Sequence, residues 1–178
     1  MSNVLIGIIG VILFIGLALA GALFLGPRFQ ESTNNSKASS AVQAVKQVSD
    51  AANMYRVQEG VPVTTNQNTN MLVATRYLKS PPTNVVMQNM NLEPSLRSAD
   101  GAINDEPAAF VIMAVSGHTG SPSGTDPRIC DAINKQANGG STPSLTAMPG
   151  ASSPPVGCFR DTTGFASYPG GYLAYARF

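Results

Sequence analysis

The sequence has 178 residues and a formal net charge of +1, and only 12% of its residues are charged, about half the share of an ordinary globular domain. It contains no block of Lys and Arg of the kind that attracts nucleic-acid phosphates, so its composition gives no sign of a nucleic-acid partner. About 150 residues follow the apolar N-terminus, which is enough for one compact domain.

Residues 4–25 form an uninterrupted apolar stretch without a charged side chain. As a helix with a rise of about 1.5 Å per residue, this stretch would be about 33 Å long, which matches the hydrocarbon core of a bilayer. It lacks the basic start and the shorter apolar region of a cleaved signal peptide. The stretch therefore fits a transmembrane anchor and, equally well, a helix that passes from the membrane into a filament.

The charges that flank this stretch conflict with the composition of the domain that follows. Arg28 and Lys37 follow the stretch and no basic residue precedes it, so the positive-inside rule would place the domain in the cytoplasm. Its cysteine pair and its many Gly, Ser and Pro residues suit an oxidising compartment instead. We expect that a short basic leader preceded Met1 and was removed, and the gene sequence upstream of Met1 would show its codons.

Gly26 and Pro27 are expected to end or kink this first helix, because proline cannot donate a backbone hydrogen bond to the preceding turn. Beyond them, small and apolar side chains recur at helical spacing and predict an amphipathic helix from Phe29 to about Val57, ending before Gly60. Its stripe consists of Ala38, Ala41, Val42, Val45, Val48, Ala52 and Tyr55. A broad surface such as a sheet can lie against so many small side chains.

The rest of the chain predicts short elements separated by turn-forming sequence. The expected elements are a short helix at 71–78, strands at 85–92 and 108–116, a short helix at 129–136, and strands at 158–160 and 171–178. Loops rich in Gly, Ser and Pro are expected at 117–127 and 137–155. Side chains alternate in the last strand as they do when one face is buried. The predicted fold is α+β, with the long N-terminal helix, apolar and then amphipathic, packed on a small antiparallel sheet.

The two cysteines, Cys130 and Cys158, are an even number in a loop-rich domain of exported composition. This favours one disulfide between them over two unrelated buried thiols. Closing a loop of this length would stabilise the fold by roughly 3–4 kcal/mol in the chain-entropy description.

The titratable residues do not converge on a catalytic or metal-binding pattern. His118 is the only histidine and lies in a loop rich in Gly and Ser. Asp100, Asp105 and Glu106 are close in sequence but lack the spacing of a calcium-binding loop. The Gly-rich stretches have no Gly-Lys-Ser/Thr pattern for binding phosphate. The sequence therefore predicts no enzyme, no metal site and no cofactor.

The layout resembles the type IV pilin family, most closely the type IVb pilins and the related pilins of conjugative thin pili. The matching features are the apolar helix that begins at Met1, the break at Gly26 and Pro27, and the amphipathic continuation to Tyr55. The stretch TRYLKSPPTNV, residues 75–85, is similar to the region that connects helix and sheet in these proteins. Cys130 and Cys158 are similar to the pair that bounds their C-terminal disulfide region.

The resemblance implies a division into four segments. These are an apolar transmembrane and filament-core helix at 1–26, an amphipathic helix of the head at 27–58, a connecting region at 59–107, and an antiparallel sheet with the disulfide-bounded region at 108–178. The side chains expected to pack in a filament core are Met1, Leu5, Ile8, Ile9, Ile12, Phe14, Ile15, Leu19 and Leu23.

The resemblance also implies a function, which is that of a subunit polymerising through its apolar helix into an extracellular pilus for adhesion, motility or conjugation. The implied partners are further copies of the chain, the inner membrane before assembly, a prepilin peptidase and an assembly machinery. Pilins usually carry glutamate at the fifth mature position, where this chain has Leu5. The alternatives are a minor pilin or pseudopilin, or a membrane-anchored periplasmic binding module resembling an adhesin, whose 137–155 loop would bind the ligand.

Overall fold

The computed structural model describes residues 2–65, 69–87, 94–98, 108–116, 126–138, 149, 153–162 and 170–178. The chain forms two compact units, residues 1–34 and residues 35–178. In chain order, the elements are α1 (Ser2–Glu59), α2 (Thr69–Ala74), β1 (Ser95–Arg97), β2 (Phe110–Ala114), α3 (Arg128–Asn138), β3 (Val156–Arg160) and β4 (Tyr172–Arg177). Residues 35–178 are called the head below.

The expected end of the first helix at Gly26 and Pro27 is wrong, because α1 continues through both residues to Glu59. A proline inside a helix removes the donor of one backbone hydrogen bond, while the turns on either side keep theirs. Leaving the helical conformation within an apolar segment would leave more backbone groups unpaired than proline does. A bend of the helix at Pro27 stays a prediction.

The predicted amphipathic stripe is confirmed in the part of α1 that belongs to the head. Its fully buried members are Ala38, Ala41, Val45, Val48 and Ala52. Val42 and Tyr55 are partly buried against the same core. The helix ends as expected before Gly60, which has a φ of +72° and donates its N–H to the carbonyl of Arg56 at 3.1 Å. A left-handed glycine of this kind is a common helix terminator.

The head contains an antiparallel sheet with the strand order β1-β2-β4-β3. One face of the sheet packs on the stripe of α1 and on α3. This face consists of Leu96, Val111, Met113, Val156, Cys158, Tyr172, Ala174 and Ala176. The small side chains of the α1 stripe lie against it, so the predicted α+β fold, a long helix packed on a small antiparallel sheet, is confirmed.

The opposite face of the sheet carries a second apolar cluster. Its members are Met87, Phe110, Ile112, Ala114, Phe159, Leu173 and Tyr175, all of which are buried. The prediction that the last strand has one exposed face is therefore wrong, because every residue from Tyr172 to Ala176 is buried. As β4 lies between β2 and β3, its side chains enter the core on one face and the second cluster on the other.

The short elements between α1 and β2 differ from the prediction. The helix expected at 71–78 is α2, which begins earlier and ends at Ala74, shortly before Arg76 with its positive φ of 68°. Residues 85–87 do not form the expected strand. The side-chain oxygen of Asn84 accepts the N–H groups of Val86 and Met87, both at 3.1 Å, and holds this segment in a turn. Residues 88–92 of that expectation lie outside the described residues.

The C-terminal elements are confirmed with small shifts of their ends. β2 lies within the expected strand 108–116, α3 extends the helix expected at 129–136 at both ends, and β3 and β4 are the last two expected strands. At the start of α3, Asp126 accepts the N–H of Arg128 at 3.0 Å and pairs with its guanidinium. The guanidinium lowers the pKa of Asp126 below its usual value. Most of the loops expected at 117–127 and 137–155 lies outside the described residues.

Candidate assembly surface

The N-terminal unit presents an apolar surface on all sides of α1. Among the described side chains, the fourteen large apolar ones between Val4 and Leu25 have exposed fractions from 49% at Ile9 to 75% at Leu23. No charged residue precedes Arg28. A helix that is apolar on every side is stable only when lipid or protein covers it. Residues 4–25 are therefore a surface that requires a partner.

Within the described part of the chain, α1 is long and apolar enough to cross a membrane. Its apolar segment is about 33 Å long at ~1.5 Å per residue, which is comparable to the hydrocarbon thickness of a bilayer. Lipid can therefore cover this surface along its full length.

The residues expected in a filament core all lie on this surface, apart from Met1, which is outside the described residues. The exposed side chains are those of Leu5, Ile8, Ile9, Ile12, Phe14, Ile15, Leu19 and Leu23. Successive residues are about 100° apart around a helix, so all of them except Phe14 fall within a sector of ~120°. Phe14 points away from that sector. Seven of the eight described side chains therefore form one broad side of the helix. The eighth, Phe14, lies on another side.

The predicted disulfide between Cys130 and Cys158 is present in the head. It connects α3 to β3, an edge strand of the described sheet, with the two Cα atoms 5.3 Å apart. Both cysteines are fully buried within the core that also contains the α1 stripe. The disulfide therefore fixes a short helix on the edge of the sheet.

The buried side chain of Asn134 reinforces this connection and was not predicted from the sequence. It is 3% exposed, its amide nitrogen donates to the carbonyl of Cys158 at 3.1 Å, and its oxygen accepts the N–H of Cys158 at 2.8 Å. A primary amide offers both a donor and an acceptor, so it can satisfy the outer edge of a strand as a further strand would. The signal in the sequence is its position one helical turn after Cys130.

Replacement of Asn134 with leucine is expected to lower the free energy of unfolding by about 2–4 kcal/mol, because it leaves the N–H and the carbonyl of Cys158 buried without partners. Urea denaturation of the full-length chain in detergent, followed by circular dichroism, measures the change. Gln136→Leu is the matched control, since this exposed amide also makes two hydrogen bonds, to Ser39 and to the carbonyl of Asn35. A similar loss in both variants would contradict the role assigned to Asn134.

Tyr175 crosses β3 at Gly157, directly beside the Asn134 amide. A Cβ atom at Gly157 would lie 2.9 Å from the Tyr175 hydroxyl and 3.1 Å from Asn134 Oδ1, so a glycine is needed there. The hydroxyl finds no hydrogen-bond partner among the described residues. Burial raises the pKa of Tyr175 above its ordinary value, and the charge of Arg177 opposes this shift. The close packing suits a rigid structural head.

Tyr77, which follows α2, contacts the end of α1. The Tyr77 hydroxyl donates to Gln58 Oε1 at 3.0 Å or Glu59 Oε1 at 2.9 Å, and its ring packs edge-on against Tyr55 with centroids 5.4 Å apart. Aromatic pairs of this geometry add to the stability gained from burial. The contact holds Tyr77 against the C-terminal end of α1.

A groove of about 410 Å³ lies on the head between α1, α3 and the start of β3. It is lined by Ser39, Val42, Gln43, Lys46, Gln136, Ala137, Pro155 and Val156. Lys46 is the charged group of this lining, and the other polar groups are neutral hydroxyl and amide groups. A groove of this composition can bind a ligand by hydrogen bonds, and the described residues that line it include no pair of groups for acid–base catalysis.

The residues considered for catalysis or for calcium, His118, Asp100, Asp105 and Glu106, lie outside the described residues. In the part of the chain that is described, no group of three His, Cys, Asp or Glu side chains is placed to hold a metal ion. The described features that bear on function are therefore the apolar surface of α1 and the disulfide-linked head. Comparisons with protein-family models, with curated proteins and with solved structures found no match.

Proposed function

We propose that this protein is a structural subunit that polymerises through residues 4–25 of α1 into an extracellular filament of the type IV pilus kind. The observation that carries the proposal is the exposed apolar surface of those residues, which continues along the chain into a disulfide-linked α+β head. In the proposed filament the apolar helices form the core and the heads form the coat. The filament would serve adhesion, motility or conjugation.

The apolar surface makes the assembled filament resistant to dissociation into water. Burying one large apolar side chain contributes about 1.5–3 kcal/mol, and fourteen such side chains are exposed on the described part of residues 4–25. Lipid covers them while the subunit waits in the inner membrane. Neighbouring copies can replace the lipid at little cost, because both environments are apolar. The subunit therefore needs no covalent link to its neighbours.

In the proposed filament, packing between helices, and not an ion pair, joins the subunits at Leu5. Where pilins usually carry a glutamate, this chain has an exposed leucine, and its first acidic residue is Glu31. An isolated carboxylate in an apolar medium is costly, so leucine at this position makes entry into the membrane and into a filament core easier. Assembly then depends on the fit between helices.

The head suits exposure outside the cell. The disulfide and the two hydrogen bonds of Asn134 hold α3 on the edge strand β3. Disulfides persist in oxidising compartments, and a covered strand edge does not pair with strands of other molecules. Both features favour a coat that remains folded without help from cytoplasmic chaperones.

A second candidate function is a membrane-anchored periplasmic binding module resembling an adhesin. The groove between α1, α3 and β3 favours it, because a volume of about 410 Å³ can accommodate a small ligand. In this case α1 would remain in the bilayer as a permanent anchor. A minor pilin or pseudopilin is a further alternative, which polymerises in the same way with few copies per filament.

Mechanical shearing of the producing cells tests these possibilities. A major filament subunit dominates the material released into the medium, and a minor subunit is scarce there beside a more abundant protein. A tethered monomer stays with the membranes. Recovery of the chain in the membrane fraction alone, under conditions in which filaments are made, would overturn the proposal of a filament subunit.

A further inference from the structure

The apolar segment of α1 has a side on which small and large residues alternate, and we call it face A. Gly7, Gly10 and Gly21 lie within about 40° of Phe14 around the helix. Phe14 is 73% exposed, and a side-chain carbon placed on any of the three glycines would meet only open space. Face A therefore has a hole at Gly7 and Gly10, a knob at Phe14, and a second hole at Gly21.

A second side, face B, has the inverse pattern. It is centred between Gly16 and Ala20, about 140° around the helix from Phe14. Large exposed side chains precede this hole at Ile12 and Leu13 and follow it at Leu23. Face B therefore has a knob, a hole and a knob, in the order opposite to face A.

The two patterns match when one helix is displaced along another. A parallel copy shifted by about four residues, or ~6 Å, brings the Phe14 knob level with the hole between Gly16 and Ala20. The same shift brings the hole at Gly7 and Gly10 of face A level with the knob at Ile12 and Leu13 of face B. It also places Gly21 within about half a turn of Leu23. One displacement thus brings two of the knobs level with holes and leaves the third, Leu23, within about half a turn of Gly21.

We infer that face A of one copy packs against face B of the next copy, with the Phe14 ring in the hole between Gly16 and Ala20. This inference depends on the proposed function and specifies its subunit contact. Small residues opposite large ones let two helices approach closely in an apolar medium, where dispersion contacts drive association. Fluid lipid tails adapt to any arrangement of side chains, so contact with lipid does not require a fixed order of knobs and holes.

The contact also determines the type of assembly. Because face A and face B are different surfaces, each copy still offers one of them after pairing, and such a heterologous contact propagates into a helical polymer. Copies inserted into one membrane by the same route have the same orientation, so the helices are parallel. An isologous dimer would require face A to meet face A.

Crosslinking of mixed copies in the producing cells tests the contact. Full-length Phe14→Cys and Ala20→Cys chains with different tags are expressed together and treated with a short bismaleimide; the native cysteines are protected as a disulfide. We expect a mixed-tag product several-fold above that of either variant alone. Ala18→Cys is the matched control, since Ala18 lies level with the hole of face B but on the opposite side of the helix.

The outcomes separate the contact from the proposed function. If filaments form while Phe14→Cys reacts best with itself or with Ala18→Cys, or gives no product, the contact is wrong and polymerisation stands. If the wild-type chain forms no filaments although its heads are folded, the proposed function falls as well.

Exchange of the knob and the hole provides a second measurement that does not depend on cysteine chemistry. Phe14→Ala and Gly16→Leu should each reduce the filament yield, and the double variant should recover part of it, because a hole then faces a knob again. A double variant that assembles no better than the worse single variant would contradict the contact.

Discussion

Removal of the disulfide by the double substitution of Cys130 and Cys158 with alanine is expected to lower the free energy of unfolding of the head by about 3–4 kcal/mol. The two cysteines are 28 residues apart in sequence, and opening that loop returns its conformational entropy to the unfolded chain. The effect is a large part of the stability of a domain of this size. Guanidinium denaturation of the full-length chain in detergent, followed by circular dichroism, measures the loss.

Comparison of the oxidised and the reduced wild-type chain is the control, because it changes the crosslink without creating cavities. We expect reduction to cause most of the loss seen in the alanine variant. Loss of the disulfide should also weaken the effect of Asn134→Leu, since both act on the attachment of α3 to β3 and their free energies are then not additive. A loss below about 1 kcal/mol on reduction would contradict a stabilising role of the disulfide.

Substitution of both Gly16 and Gly21 with leucine is expected to reduce filament formation strongly while leaving the stability of the head unchanged. Apart from the chain neighbours and the nearby backbone of α1, a Cβ atom added at either glycine has no other atom within 4 Å, so the added side chains strain nothing within the chain. They fill the space that a neighbouring helix needs for close approach. The leucines remain compatible with a bilayer, so membrane insertion should persist. Electron microscopy of sheared material gives the filament yield.

The double substitution Ala22→Leu and Gly26→Leu is the matched control for that experiment. It adds two leucines to the same part of α1, at positions about 80° or more around the helix from the centres of face A and face B. We expect its filament yield to stay closer to that of the wild type. Normal yield from the Gly16 and Gly21 variant would show that subunits do not pack closely at these positions.

The elements with a strong local pattern were predictable from the sequence. The stripe from Ala38 to Ala52, the apolar strand β2 and the helix α3 each combine suitable propensity with a clear periodicity or a short apolar run. The cysteine pair followed from its even number in an exported composition. In these cases local preference and tertiary burial agree.

Other features depend on contacts between distant residues and gave no local signal. Residues 85–87 do not form part of the strand expected at 85–92, because Asn84 accepts the N–H groups of Val86 and Met87 and donates to the carbonyl of Ala114 on β2. β4 was expected to expose one face, but its neighbours β2 and β3 bring apolar side chains to both faces. A polar side chain such as Asn134 looks like a surface residue until the strand edge it satisfies is known.

The candidate surface was predictable in its composition and only partly in its geometry. The sequence of residues 4–25 shows an apolar segment long enough to span a bilayer, and the structure adds that its large described side chains are all exposed. Of the end or kink predicted at Gly26 and Pro27, the end was wrong, because one missing donor does not outweigh the hydrogen bonds of the turns around it.

Helical reconstruction of the sheared filament by electron cryomicroscopy tests the central claim most directly. We predict that this chain accounts for the filament density, with residues 4–25 of many copies packed in parallel at the centre and the disulfide-linked heads at the surface. A filament built from another protein, or one in which residues 4–25 lie outside the subunit contacts, would contradict the claim that this chain polymerises through its apolar helix.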